Sequence, residues 1–117
     1  MNLKIKELEV IDITVGQSQQ SVEAGDIVLM HYTGKLLENG KQFDSSIGRQ
    51  PFQCQIGVGR VIKGWDLGVV GMKIGGKRTL NIPSEMGYGS SGAGADIPPN
   101  VDLTFDVELL QALRPLK

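Results

Sequence analysis

Residues 101–109, VDLTFDVEL, place Val101, Leu103, Phe105, Val107 and Leu109 at every second position, with Asp102, Thr104, Asp106 and Glu108 between them. A period of two puts the apolar set on one face of an extended strand and the polar set on the other, so the segment needs a sheet with one dry face and one wet one. Other stretches fit the same sheet. Residues 27–33 (IVLMHYT) and 77–82 (KRTLNI) are rich in β-branched and aliphatic side chains, and 52–56 (FQCQI) alternates apolar with amide residues. Between Leu36 and Phe43 the sequence LLENGKQF centres on Asn39-Gly40, the pair best able to take positive φ at both central positions of a type I′ turn, which predicts a hairpin.

One segment, VIKGWDLGVVGM at 61–72, departs from the β pattern. Ile62, Trp65 and Val69 fall at i, i+3 and i+7, which predicts a short helix with one apolar face. Gly64 and Gly68 each weaken it by roughly 0.8–1.0 kcal/mol relative to alanine. Such a helix must lean on an apolar surface, and only a sheet face is on offer. The expected class is therefore α+β, an antiparallel sheet of about five strands carrying one short helix.

A chain of 117 residues suits a single domain, 1–117, with one ordinary core. Cys54 is the only cysteine, which excludes an intrachain disulfide and suits a reducing compartment. The opening MNLKIKELEVIDI alternates charged and apolar residues without the apolar block of a signal peptide, and no segment has the length of a membrane span. A cytoplasmic location and no membrane partner are the expectations. Twelve Lys and Arg stand against thirteen Asp and Glu, scattered, with no basic cluster longer than Lys77-Arg78, which argues against nucleic acid.

Several motifs fail on chemistry. GMKIGGK at 71–77 has the first seven positions of a phosphate-binding loop, but Arg78 stands where a Ser or Thr must reach magnesium, and a helix precedes it where a strand should. GSSGA at 89–93 is a broken hydrolase elbow, and the only histidine, His31, lies inside a predicted strand. Asp102, Asp106 and Glu108 share the polar side of a strand and are expected on a solvated face. Any chemistry here must work without metal, cofactor or activated nucleophile.

Two features remain. GYGSSGAGADIPPN at 87–100 is too long for a simple connection, so it is either disordered or a binding flap, and it carries one large side chain, Tyr88. The chain has six aromatics, Tyr32, Phe43, Phe52, Trp65, Tyr88 and Phe105. They form either an ordinary core or the wall of a pocket. Aliphatics suffice for a core, whereas the two tyrosines carry hydroxyls that need partners or water.

HYTG at 31–34, FDSS at 43–46, VIKGWDLGVVGMKIGG at 61–76, YG at 88–89, and IPPN followed by a strand ending FDVELL resemble the FKBP family of peptidyl-prolyl cis-trans isomerases. The likeness keeps the family's order and spacing from about residue 22 to 110. It implies an antiparallel five- to six-stranded half-barrel wrapped around one short α-helix, with a shallow hydrophobic pocket between them. Trp65 would then form the floor and Tyr32, Phe43, Phe52 and Phe105 the walls, beside Val61 and Ile62. Tyr88 would sit on the flap with its hydroxyl toward substrate, and Ile97 would be the apolar residue at the flap tip. Asp44 matches the pocket acid, with Arg49 as its ion partner, and the Ile62 N–H would hold the peptide's carbonyl.

The resemblance also implies proline-containing peptides and folding proteins as partners, rapamycin-type macrolides as ligands, no cofactor and a monomer. Tyr88, Asp44 and Trp65 are the residues it assigns to catalysis. The alternative is a proline-directed binding module whose turnover is incidental; the short flap argues against a holdase chaperone. Three positions depart from the family pattern: Ala93 replaces a histidine or bulky residue, Asp96 replaces an aliphatic at the tip, and Arg60 stands where an acidic residue is frequent.

Overall fold

The computed structural model describes residues 4–115. Six strands form one antiparallel sheet: β1 Glu9–Thr14, β2 Ile27–Leu36, β3 Gln42–Ser45, β4 Phe52–Gln55, β5 Lys77–Ile82 and β6 Leu103–Leu113. Their spatial order is β1-β5-β6-β2-β3, and β4 lies against β2 as well. β4 takes Ile27–Met30 and β3 takes Thr33–Lys35, so two short strands share one long edge and turn it inward. A single helix, α1 Lys63–Gly68, lies against the inner face. The residue patterns predict the α+β class, and the family resemblance implies this half-barrel around a short helix.

Alternation decides the layers. Val28 and Met30 of β2, Leu80 and Ile82 of β5, and Leu103, Phe105, Val107 and Leu109 of β6 are all buried, and they meet Trp65, Val69 and Met72. The two helix glycines belong to this contact. A Cβ built on Gly64 would lie 2.6 Å from Ile82, and one on Gly68 would lie 2.8 Å from Leu80. What weakens the isolated helix therefore lets it approach β5 closely.

Both ends of α1 are held from outside. The Asp66 carboxylate accepts the N–H groups of Gly57 and Gly59 at 2.7 and 2.9 Å, fixing the turn that leads into the helix. At the other end the buried Arg78 donates to the carbonyls of Gly68 and Val70, both at 2.9 Å, and to Asp12 at 2.7 Å. The arginine that spoils the phosphate-loop motif is thus a cap for free C-terminal carbonyls.

Two expectations need correction. Asp102 is buried: it accepts N–H groups from Ile5 at 2.8 Å and Ser84 at 2.9 Å, which together replace its water. The β2–β3 turn is not type I′, because Gly40 has positive φ (73°) and Asn39 does not. Instead the connection spans 37–41, with Asn39 Oδ1 accepting the Lys41 N–H at 2.9 Å.

Candidate active site

Five of the six rings come from five different elements and interlock. Trp65, on α1, meets Tyr32 (β2) at 5.0 Å between ring centres, Phe105 (β6) at 5.1 Å and Phe52 (β4) at 5.7 Å, each edge-on. Phe43, on β3, meets Phe105 at 5.6 Å. Edge-to-face contact is the arrangement ring quadrupoles favour, and it leaves a concave aromatic surface. The result is a cleft of about 430 Å³ lined by these five rings together with Asp44, Val61, Ile62, Tyr88, Gly59 and Arg60.

Gly34, which pattern reading left unassigned, makes that wall possible. A Cβ there would lie 2.6 Å from Phe105 and 2.7 Å from Phe43. The signal was present in HYTG, but only the tertiary contact shows that the glycine serves two rings. Ser46 is a second omission. Buried beside β2, its hydroxyl accepts the Tyr32 N–H at 2.8 Å and its N–H donates to the Tyr32 carbonyl at 2.9 Å, so it holds Tyr32 in register. His31 Nδ1 lies 2.8 Å from the same hydroxyl, which gives the one histidine a structural partner.

Asp44 sits at the rim. The Tyr32 hydroxyl donates to its Oδ2 at 2.6 Å and Arg49 Nη2 to its Oδ1 at 2.9 Å. Donation from Tyr32, followed by the contributions of the Ser45 N–H and Arg49, outweighs burial and holds the Asp44 carboxyl below the usual carboxylate range. The same contact acts in reverse on the phenol: burial first, then donation to Asp44, pushes Tyr32 up to about 12. Burial, with the Asp44 charge behind it, raises Tyr88 as well.

These directions give a test. At pH 10 Tyr32 of the folded protein should remain neutral and Tyr88 should be less ionised than in urea at the same pH, where both should be half ionised, as read by phenolate absorbance. The sign follows from raised folded values: the associated stability is complete below 10.0 and is lost as pH climbs toward about 12. A half-ionised Tyr32 in the native protein would show that neither burial nor the Asp44 contact acts on its phenol.

The segment 87–100 is ordered. Tyr88 precedes a single turn at Gly89–Ser91, Ala93 and Ile97 bond to each other, and the Asn100 N–H donates to Gly89 at 2.9 Å. Tyr88 is partly exposed at the cleft, and its hydroxyl has no hydrogen-bond partner among the described residues. Ile97 departs from expectation. It is 7% exposed and packs in the core, so it anchors the flap from beneath and does not line the cleft. Its carbonyl and N–H close the flap's own hairpin on Ala93, which fixes it facing inward.

Another depression, of about 390 Å³, lies on the outer sheet face around Ile13, His31, Ile47, Lys77 and Asp106. Tyr32 is the one aromatic ring residue of the cleft that also borders it, and Trp65 does not. Fold and cleft together therefore define a class: a half-barrel whose aromatic cleft has a tryptophan base, with a phenol and a carboxylate at the rim. The profile of the FKBP-type peptidyl-prolyl cis-trans isomerases matches residues 18–110. The chain belongs to that family, and it is an isomerase of peptidyl-prolyl bonds.

Named relatives agree. The FK506-binding protein of Neisseria meningitidis serogroup B is 56% identical over 101 residues, covering 86% of this chain and 91% of that protein. Peptidyl-prolyl cis-trans isomerase FKBP53 of Arabidopsis thaliana is 53% identical over 88% of this chain, which spans only 22% of that protein's length. The crystal structure of AtFKBP13 superposes with a TM-score of 0.81 at 46% identity, covering 91% of this chain and 93% of the other.

Proposed function

We propose that the protein accelerates rotation about X-Pro bonds of folding or flexible proteins by desolvating the amide and stabilising its twisted form. The observation that carries this reading is the interlocked aromatic cleft itself. Rotation about an amide is slow because resonance must be broken, at roughly 18–20 kcal/mol. A planar amide is more charge-separated than a twisted one, so an apolar, water-poor site disfavours the ground state more than the transition state. The proline ring would rest on Trp65, and no covalent step is needed.

Two donors are free to act. The Ile62 N–H at the start of α1 has no partner among the described residues and lies beside the cleft, suited to a peptide carbonyl. The Tyr88 hydroxyl is placed to donate to a second carbonyl. Asp44 acts through Tyr32 as a positioning group, since both of its oxygens are already occupied. Macrolides of the FK506 and rapamycin kind would occupy the same cleft and block it. We further propose a cytoplasmic monomer. Burial pushes the thiol of Cys54 up to about 11, which keeps it protonated and out of disulfide exchange.

The test is cis-to-trans conversion of a Leu-Pro peptide, with and without rapamycin. Acceleration abolished by the macrolide is expected. Tyr88→Phe should lower kcat/KM by about two- to tenfold, the worth of one neutral hydrogen bond. An unchanged rate would mean that Tyr88 only packs the flap. Saturable binding of the peptide without acceleration would favour the recognition module over the isomerase mechanism.

A further inference from the structure

Two charged side chains line the cleft, and they differ in one respect. Asp44 is fully engaged by Tyr32 and Arg49. Arg60 is exposed and enters no ion pair among the described residues. The acid nearest to it along the chain, Asp66, has spent both oxygens on the N–H groups of Gly57 and Gly59. That clamp, closing on glycines with φ of 83° and 78°, fixes the turn from which Arg60 reaches the rim. Val61 and Ile62, the next two residues, also line the cleft, so the guanidinium stands beside the place where a peptide backbone would dock.

We propose that Arg60 is a specificity-determining residue that selects peptides carrying a carboxylate side chain next to the proline. The inference rests on the isomerase reading and extends it to substrate class. A guanidinium is always charged and binds carboxylates in a two-point fork, and here no internal acid competes for it. Aromatic walls on one side reduce the solvent that would screen the pair. Because Arg60 is exposed, the effect is modest, about two- to fivefold in kcat/KM.

The experiment compares peptides identical except for Glu or Gln immediately before the proline, and a second pair with the change immediately after it. Wild type, Arg60→Gln, Arg60→Glu and Arg60→Lys are each measured at low and high salt. The readout is the Glu/Gln ratio within each variant, which divides out any general effect on the cleft. Expected is a ratio of about two to five at one of the two positions in wild type and with Lys, near one with Gln, inverted with Glu, and shrinking with salt. A ratio that is the same in all four proteins at both positions overturns the assignment. If wild type turns over neither Gln peptide, the isomerase reading itself fails, and the inference falls with it.

Discussion

Trp65→Ala is expected to lower stability by about 3–5 kcal/mol and to abolish turnover. Trp65 is 6% exposed and touches Tyr32, Phe52 and Phe105, so truncation removes a large buried surface and leaves a void between α1 and the sheet. The loss should be read by urea unfolding followed with circular dichroism, because the substitution removes the only tryptophan and its fluorescence. Phenylalanine at the same place makes an informative contrast. The indole Nε1 is buried with no hydrogen-bond partner among the described residues, surrounded by rings that offer at most weak acceptance. Trp65→Phe shrinks the floor but also removes an unsatisfied donor, two effects of opposite sign. It should cost under about 2 kcal/mol. If alanine costs as little as phenylalanine, Trp65 is not the floor on which the cleft stands.

Arg78→Met should cost about 2–4 kcal/mol, although methionine preserves much of the buried volume. Replacing both members of a buried ionic contact by apolar groups can be neutral, but here only the donor is removed. The carbonyls of Gly68 and Val70 would be left without the guanidinium, and Asp12 would lose its tie to β5. The last turn of α1 carries no side chain of its own that could substitute. Loosening there should reach Trp65, three residues before Gly68, and raise KM for peptide substrates in the folded variant. An Arg78→Met protein as stable as wild type would show that the helix end needs no cap.

The sequence was most readable where its period matched burial. β6 alternates between a dry and a wet face, and its residues could be placed before any contact was known, while β2 and β5 were legible as strands from their β-branched and aliphatic content. β1 alternates less cleanly, with Val10 and Ile11 adjacent, and none of its residues is buried, so periodicity had no contrast to report. Asp102 kept perfect phase with Asp106 and Glu108, yet lies inside because Ile5 and Ser84 bring their N–H groups to it. No local pattern encodes that meeting. Nine of the ten side chains assigned to the site surround one cleft, and the tenth, Ile97, does not, because the flap's small hairpin turns it into the core. Gly34 and Ser46 escaped notice for the same reason: each acts on a distant segment, Gly34 on the rings of Phe43 and Phe105 and Ser46 on the backbone of Tyr32.

The five interlocked rings stand on β2, β3, β4, α1 and β6, and that distribution dictates when the site can exist. Phe105 sits on the strand that closes the sheet between β2 and β5, so a chain still lacking β6 has neither a complete wall nor a seat for the floor. Contacts of such long sequence separation form late. An unfinished copy therefore has no catalyst to offer itself, and its own five X-Pro bonds must reach their native state unaided or with help from a copy already complete. In this protein the isomerase cleft is complete only once the last strand in the sequence has joined the sheet.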